Sequence, residues 1–352
     1  MKRIEYIILI FALCSACILL ASCDEVIKKI TPIETGTKIT QSATASETIT
    51  ETVPKVTYAR IDTDNCVFEN DIKRKAAEKA DGAINHAVDI LNKYLDSRSY
   101  NVLDYDPLSH LLAYDALDET KKAHYDRMYA GASTFSGYVI DENDYKERLN
   151  PFGDIVDALY AIYEDYPVTQ LYYTDISTDG HTHVPRYFLP NDYAHEADDI
   201  EQVKHGVTFY NAVFDRILEC VPEGLSNYGK CMYFTAVISE LCTYDYDYET
   251  MLDPFQAYNA LVGGETVCMG YTEAFQLLCR ASGVECGSVR GKTAPDDIES
   301  HIWNVVQTDL GPRYIDVTWT DNKIEKSGAD FYFEYFMMDS DDLEYEGYIP
   351  DA

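Results

Sequence analysis

Positive charge is scarce in this sequence. There are 28 Lys and Arg against 61 Asp and Glu, a formal net charge of −33. A polyanionic partner is held by clustered cations that displace its counterions, so this balance excludes nucleic acid and argues equally against anionic lipid and teichoic-acid polymers. It suits solubility and basic protein substrates, although a well-solvated surface accounts for it as simply. There is no basic tract and no internal repeat. Paired cysteine motifs are missing from the body of the chain. The CxxC of Cys14 and Cys17 lies inside an apolar N-terminal run and is filler there. Cys66, Cys220, Cys231, Cys242, Cys279 and Cys286 sit mostly in apolar helical contexts. That excludes a zinc ribbon and a disulfide framework, and predicts buried thiols in a weakly oxidising exterior. Metal-ligand spacing is missing too. His195-Glu196 lacks the second histidine of a zinc-protease helix, and His181 and His183 could share a strand face but have no third ligand. Asp339-Ser340-Asp341-Asp342 lacks the glycine of an EF-hand loop and reads as a helix cap. Neither a metal nor a cofactor is expected.

What is present begins at the N-terminus. Met1-Lys2-Arg3, a brief apolar run and small residues before Cys23 read as a signal peptide over residues 1–22. Leu20-Ala21-Ser22-Cys23 resembles a bacterial lipobox. That resemblance implies a diacylated Cys23 as the mature N-terminus, with the body on the outer face of a bacterial cell membrane. An uncleaved anchor helix is the competing reading and leaves the body on the same side. Removing residues 1–22 takes away Lys2, Arg3 and Glu5, one net positive charge, and leaves −34. Residues 23–57, rich in Thr, Ser and Glu, predict a disordered tether with a reach of about 30 Å. Apolar periodicity then predicts three helices, marked by Ile72, Ala76, Ala83, Ala87 and Leu91, by Ile155, Leu159, Ile162 and Tyr166 before Pro167, and by Val203, Val207, Tyr210, Phe214 and Ile217. Strands over Val168–Ile176 and Arg186–Tyr193 flank Asp179-Gly180. Together these predict a mainly helical N-terminal lobe over 58–220 and a second domain over 221–345. The 30 tyrosines are expected in packing first, and in a glycan or peptide groove second.

The second domain carries the chemistry. Cys268 sits where a helix should begin, after Gly263-Gly264 and before an apolar face at Tyr271, Phe275 and Leu278 that Gly283 closes. A thiol at a helix N-terminus feels the positive end of the dipole, which favours the thiolate, and the free amides there can hold an oxyanion. A buried, inert cysteine is the plainer reading of Cys268 alone. His301 changes that. The runs Ile302–Val306 and Arg313–Thr318 read as strands around a turn at Asp309-Leu310. That hairpin sets His301 opposite about Thr318 and makes Asp316 its diagonal neighbour. Cysteine, histidine and aspartate then form a nucleophile, its base and the base's orienter.

The pattern resembles the transglutaminase-like family, part of the papain-like cysteine enzyme superfamily. The residues that carry it are Ala257–Gly264, Val267-Cys268-Met269-Gly270-Tyr271, Gly283-Val284-Glu285-Cys286, His301-Ile302-Trp303-Asn304 and Asp316–Asp321. It covers about Tyr233–Leu343 and is weaker from about Leu171. Leu241–Asp247 looks like the family's lead-in helix and acidic-aromatic turn, and Tyr335–Asp341 like its closing strand and turn. The family usually has a small residue where Ile302 stands. The resemblance implies an α+β fold, with a Cys268 helix packed on an antiparallel sheet carrying His301 and Asp316. It further implies that Cys268 is the nucleophile, His301 the base and acid, and Asp316 its orienter. Gln256 and Tyr258 are the side chains considered for completing the oxyanion hole. The expected activity is attack on an amide of a protein or cell-wall peptide, with the acyl group passing to water or to an amine. The alternative is a non-catalytic surface module that keeps the fold in order to bind.

Overall fold

The computed structural model describes residues 69–95, 102, 113–134, 143, 146–147, 149–150, 152–176, 183–190, 192–196, 200–253, 255–294, 300–321 and 333–351. The signal segment, Cys23, the tether, Cys66 and His181 lie outside the described residues.

The chain is α+β. Helix α1 (Glu69–Tyr94) buries Ile72, Ala76, Ala83, Ala87 and Leu91, the stripe that predicts it, and Ala80 with them. A 3-10 turn at Ala113–Ala116 precedes α2 (Glu119–Thr134) and α3 (Asp154–Asp165). Helix α3 ends just before Pro167, whose ring cannot continue it. A three-stranded antiparallel sheet follows, β1 (Tyr172–Ile176), β2 (His183–Leu189) and β3 (Asp192–Glu196), in that order. The strand expected from Val168 starts four residues later. There the Thr169 N–H donates to the Tyr166 carbonyl at 2.9 Å and holds Pro167–Leu171 in a 3-10 turn.

Helix α4 (Ile200–Glu219) buries Val203, Val207, Tyr210, Phe214 and Ile217 as expected. Helix α5 (Asn227–Leu241), N-capped by Ser226, is buried on every side and is correspondingly apolar all round. Strands β4 (Thr243–Tyr244) and β5 (Glu265–Thr266) pair in parallel. Between them lie a short helix, Gln256–Tyr258, and a π turn, Asn259–Gly263. Helix α6 (Cys268–Ala281) ends on Gly283 at φ +80, with the Val284 N–H donating to the Cys279 carbonyl. A second antiparallel sheet has the order β8-β7-β6-β9, built from β6 (Gly287–Lys292), β7 (His301–Thr308), β8 (Gly311–Ile315) and β9 (Ile349–Pro350). Helix α7 (Ser340–Glu346) starts on a capping box of Asp339 and Asp342, the cap read from the sequence.

The cores run across the expected boundaries. Helices α1 and α4 share one hydrophobic core with α5, α6, Val306 and Ile315. Their single apolar stripes need a partner, and the all-round apolar α5 supplies it. Among the described residues, α2 and α3 gather a separate cluster around Tyr125, Met128, Ile155 and Ile162. Beyond 345, β9 pairs with β6 and Tyr348 is buried. No helix of the described residues is long and apolar enough to cross a membrane.

Candidate functional site

Strand β5 runs into extended Val267 and then into the first residue of α6, Cys268, which is half-buried. The first turn of α6 lies hard against the short helix before it. A Cβ on Gly270 would stand 2.1 Å from Thr266 Oγ1 and 2.7 Å from the Gln256 carbonyl oxygen, so this position admits no side chain. One turn beyond Cys268, Thr272 Oγ1 donates to the Ile302 carbonyl at 3.1 Å, and Asn304 Nδ2 donates back to the Thr272 carbonyl at 3.1 Å. This reciprocal clamp fixes the start of α6 against the start of β7. Ile302, where a smaller residue was expected, is buried and lends its carbonyl to the clamp. Fully buried Tyr271 donates its hydroxyl to buried Asp321.

His301 opens β7. Its Nε2 lies 2.6 Å from Asp316 Oδ2, and the Cys268 thiol is close enough to raise the pKa of the same imidazole. With Nε2 taken by the carboxylate, Nδ1 is the ring nitrogen left for sulfur. Three rings surround the imidazole, Trp303, Trp319 and Tyr348, with centroids 5.9, 6.2 and 6.3 Å away. The hairpin turns at Asp309-Leu310 as expected, with Thr308 paired to Gly311 and Asn304 to Ile315. The second strand is shorter than expected. It stops at Ile315, and residues 317–321 are helical. Asp316 is the reason: its Oδ1 accepts the Trp319 N–H at 3.0 Å and its carbonyl accepts the Thr320 N–H at 3.1 Å, which makes it an N-cap. The carboxylate therefore reaches His301 from a helix cap, not as a diagonal strand neighbour.

Asp316 is fully buried, and a third donor completes its shell. Tyr348 Oη donates to Oδ2, the same oxygen that faces His301, at 2.7 Å. Burial pushes the Tyr348 hydroxyl up, and Asp316 pushes it further, so it remains a donor. At His301, burial works against the charged ring. Asp316 and Cys268 outweigh it and raise the imidazolium to about 10. Near neutral pH a positive ring thus stands between a carboxylate and a thiol. The Cys268 and Met269 amides come before the first bond of the helix, which Gly270 N–H makes to the Val267 carbonyl at 2.9 Å, and lie at the same helix end. Such a set can attack a carbonyl carbon with sulfur, hold the developing oxyanion and hand a proton to a leaving group.

Cys268, His301 and Asp316, singled out from the sequence, come together here. Gln256 does not join them, because its amide nitrogen is committed to the Thr250 and Asp253 carbonyls at 2.6 and 3.2 Å. Half-buried Tyr258 stacks with Tyr210 and is tilted against Phe255 at the edge of the core. Sequence reasoning missed Tyr348, Thr272 and Asn304. Asn304 ends the His301-Ile302-Trp303-Asn304 motif and Thr272 directly follows Tyr271, whereas nothing local marks Tyr348, which the β9–β6 pairing brings in. Cys220, Cys231, Cys242, Cys279 and Cys286 are free thiols, all buried except half-buried Cys220. Among the described residues no three His, Cys, Asp or Glu side chains gather to hold a metal. Compared with known families and curated proteins, the chain matches no family model and no curated protein.

Proposed function

We propose that the protein is a thiol enzyme of the papain-like, transglutaminase-like class, anchored by a lipid on Cys23 to the outer face of a bacterial membrane. Its substrate is an amide in a protein or cell-wall peptide. The observation that carries this reading is the 2.6 Å contact of His301 Nε2 with buried Asp316, together with Cys268 at the helix start as a second group that raises the same imidazole. In the reaction the Cys268 thiolate attacks the amide carbonyl carbon, and the C–S bond forms as the C–N bond breaks. His301 gives its proton to the leaving amine. Water or a second amine then attacks the thioester, His301 takes the proton from that nucleophile, and the thiolate leaves beside the reprotonated imidazole as the acyl group departs. Asp316 holds the imidazole throughout. Water is the default acceptor, so hydrolysis is the expected outcome.

The test is labelling of the protein with a thiol-directed probe across pH, followed by peptide mapping. Incubation with a glutamine-bearing protein and a biotinylated primary amine then scores deamidation, cleavage and amine incorporation. Selective labelling of Cys268 and a product that vanishes in Cys268→Ala support the reading. Labelling no faster than at the buried cysteines would leave a binding module of the same fold. Fatty-acid labelling lost in Cys23→Ala checks the anchor.

A further inference from the structure

Strands β4 and β5 are parallel, so their C-terminal ends leave the ladder side by side. From β5 the chain goes to Cys268. From β4 it enters the loop Asp245–Asp253, whose first N–H donates to the Thr266 carbonyl at 2.9 Å. This loop is built to be rigid. Asp245, 2% exposed, accepts the Asp247 N–H, the Thr250 N–H and the Thr250 hydroxyl at 3.1, 2.7 and 2.8 Å. Gln256 holds the far side through the Thr250 and Asp253 carbonyls and accepts from Thr266 Oγ1 at 2.9 Å, which ties the loop to the residues just before Cys268. Tyr248 is one of two non-glycine residues at positive φ among those described, +57, a conformation that L side chains seldom adopt.

That frame exposes apolar surface instead of hiding it. Tyr246, Tyr248, Met251 and Leu252 are 58, 44, 49 and 43% exposed, and they lie within seven residues of one another. Asp247 and Glu249 stand exposed between them. Along the chain there is no Lys, Arg or His between Lys230 and Arg280. Lys79 Nζ lies at Gly264, just before β5 and at the upstream end of the ladder. Across the candidate site, half-exposed Trp319 lies beside His301.

We infer that the Asp245–Asp253 loop is the substrate-docking wall beside Cys268, and that its occupant is a cationic polypeptide segment carrying Lys or Arg next to apolar residues. Charge complementarity selects the cation, because Asp247 and Glu249 pair with it and the Tyr246 and Tyr248 faces offer cation–π contacts. Met251 and Leu252 select a peptide over a glycan, since aliphatic side chains match apolar peptide side chains and offer nothing to hydroxyl groups. The inference rests on Cys268 being the reactive centre, but docking does not require turnover, so the two fail separately.

The experiment uses the full-length Cys268→Ala protein in detergent and two fluorescein-labelled dodecapeptides of Gln, Leu and Ala, one with three Arg and the other with three Glu in their place. The Arg peptide should bind at least tenfold tighter by anisotropy. An acidic protein attracts any cation, so the deciding comparison is between variants of equal charge change. Asp247→Lys with Glu249→Lys should remove most of the preference. Asp71→Lys with Glu78→Lys, on the exposed face of α1, should leave it. The isosteric Asp247→Asn with Glu249→Gln should behave like the first pair and guards against misfolding, and Tyr246→Ala with Tyr248→Ala should weaken binding about tenfold. With Cys268 restored, bound Arg peptide should slow its alkylation by iodoacetamide. Equal loss in both Lys pairs, no protection of Cys268, or binding of chitotetraose in place of peptide would overturn the inference. Docking without turnover would leave it standing and sink the enzymatic reading alone.

Discussion

Helix α6 carries a cysteine near each end, and the two differ in everything that governs thiol chemistry. Cys268, at the N-terminal end, is half-buried and faces an imidazolium that Asp316 holds. Cys279, about three turns on, is fully buried. There burial, together with Cys231 and Cys286, pushes the thiol well up. One element thus offers a positive dipole end, a charged neighbour and an opening to solvent at one terminus, and a buried core of thiols and apolar side chains at the other. Reactivity is a property of the pocket more than of the residue, and the same helix supplies its own control.

The largest expected effect follows directly. Cys268 should react with iodoacetamide on the order of 10² or more times faster than Cys279, whose modification waits for the core to open. Peptide mapping of a time course measures both rates in one sample. Cys268→Ala should lower turnover by roughly 10⁶-fold, as loss of a nucleophile does in other triads, without moving the melting temperature. Cys279→Ala should do the reverse, costing about 1 kcal/mol of stability through lost core contacts and leaving turnover alone. Equal alkylation rates would erase the contrast between the two ends.

Asp316→Asn comes next, with a loss of turnover on the order of 10⁴. It also tests the protonation of His301. A histidine raised from 6.5 to about 10 in the folded state stabilises the fold fully below about pH 6.5, and that contribution is lost as the pH rises towards 10. Denaturation midpoints followed from pH 6 to 10.5 should therefore fall in the wild type and change little in Asp316→Asn. A wild type with no such slope would mean that His301 is neutral when folded.

These three positions were readable from sequence because each has a local signature. Cys268 stands at a helix start between glycines and an apolar stripe, His301 starts a strand, and Asp316 lies at a computable register beyond a two-residue turn. The strand after the turn was read too long because Val317 and Thr318 favour β structure, and the N-cap that ends it depends on hydrogen bonds no periodicity displays. The partner of the helical stretch is hidden from the sequence for a similar reason. Amphipathic stripes on α1 and α4 announce burial without saying against what, and the covering helix α5 has no stripe at all. Tyr348 was beyond reach because the β9–β6 pairing that delivers it joins residues far apart in the chain.

Two helical glycines sharpen the same contrast between a pinned site and an open surface. Gly270→Ala should destabilise by about 1–3 kcal/mol, since the new methyl meets the Gln256 carbonyl, a backbone atom that cannot move aside. It should also slow Cys268 alkylation by displacing the first turn. Gly82→Ala in α1, where a Cβ meets nothing within 4 Å, should instead stabilise by about 0.5–1 kcal/mol. Urea denaturation of the pair measures both. Similar changes in the two variants would mean that the close approach at Gly270 is not constraining.

The smallest effect belongs to Tyr348→Phe, and its direction matters more than its size. The hydroxyl donates to Asp316 Oδ2, the oxygen that also faces His301, while the ring packs 4.9 Å from Trp303. Phenylalanine keeps the packing and removes one donor, a loss of roughly 1.5 kcal/mol for a hydrogen bond to a charged group. Turnover should fall about tenfold with KM unchanged, because the carboxylate is left freer to rotate and holds the imidazole less well. The alkaline limb of Cys268 alkylation, set by His301, should move slightly up from about 10. Without the tyrosine proton, more of the carboxylate charge falls on the ring, and that favours the imidazolium. Asp316→Asn moves the same limb down. Measuring alkylation from pH 6 to 11 in the three proteins separates a hydroxyl that tunes the carboxylate from one that fills space. An unmoved limb, or one displaced downwards, would assign Tyr348 to packing alone.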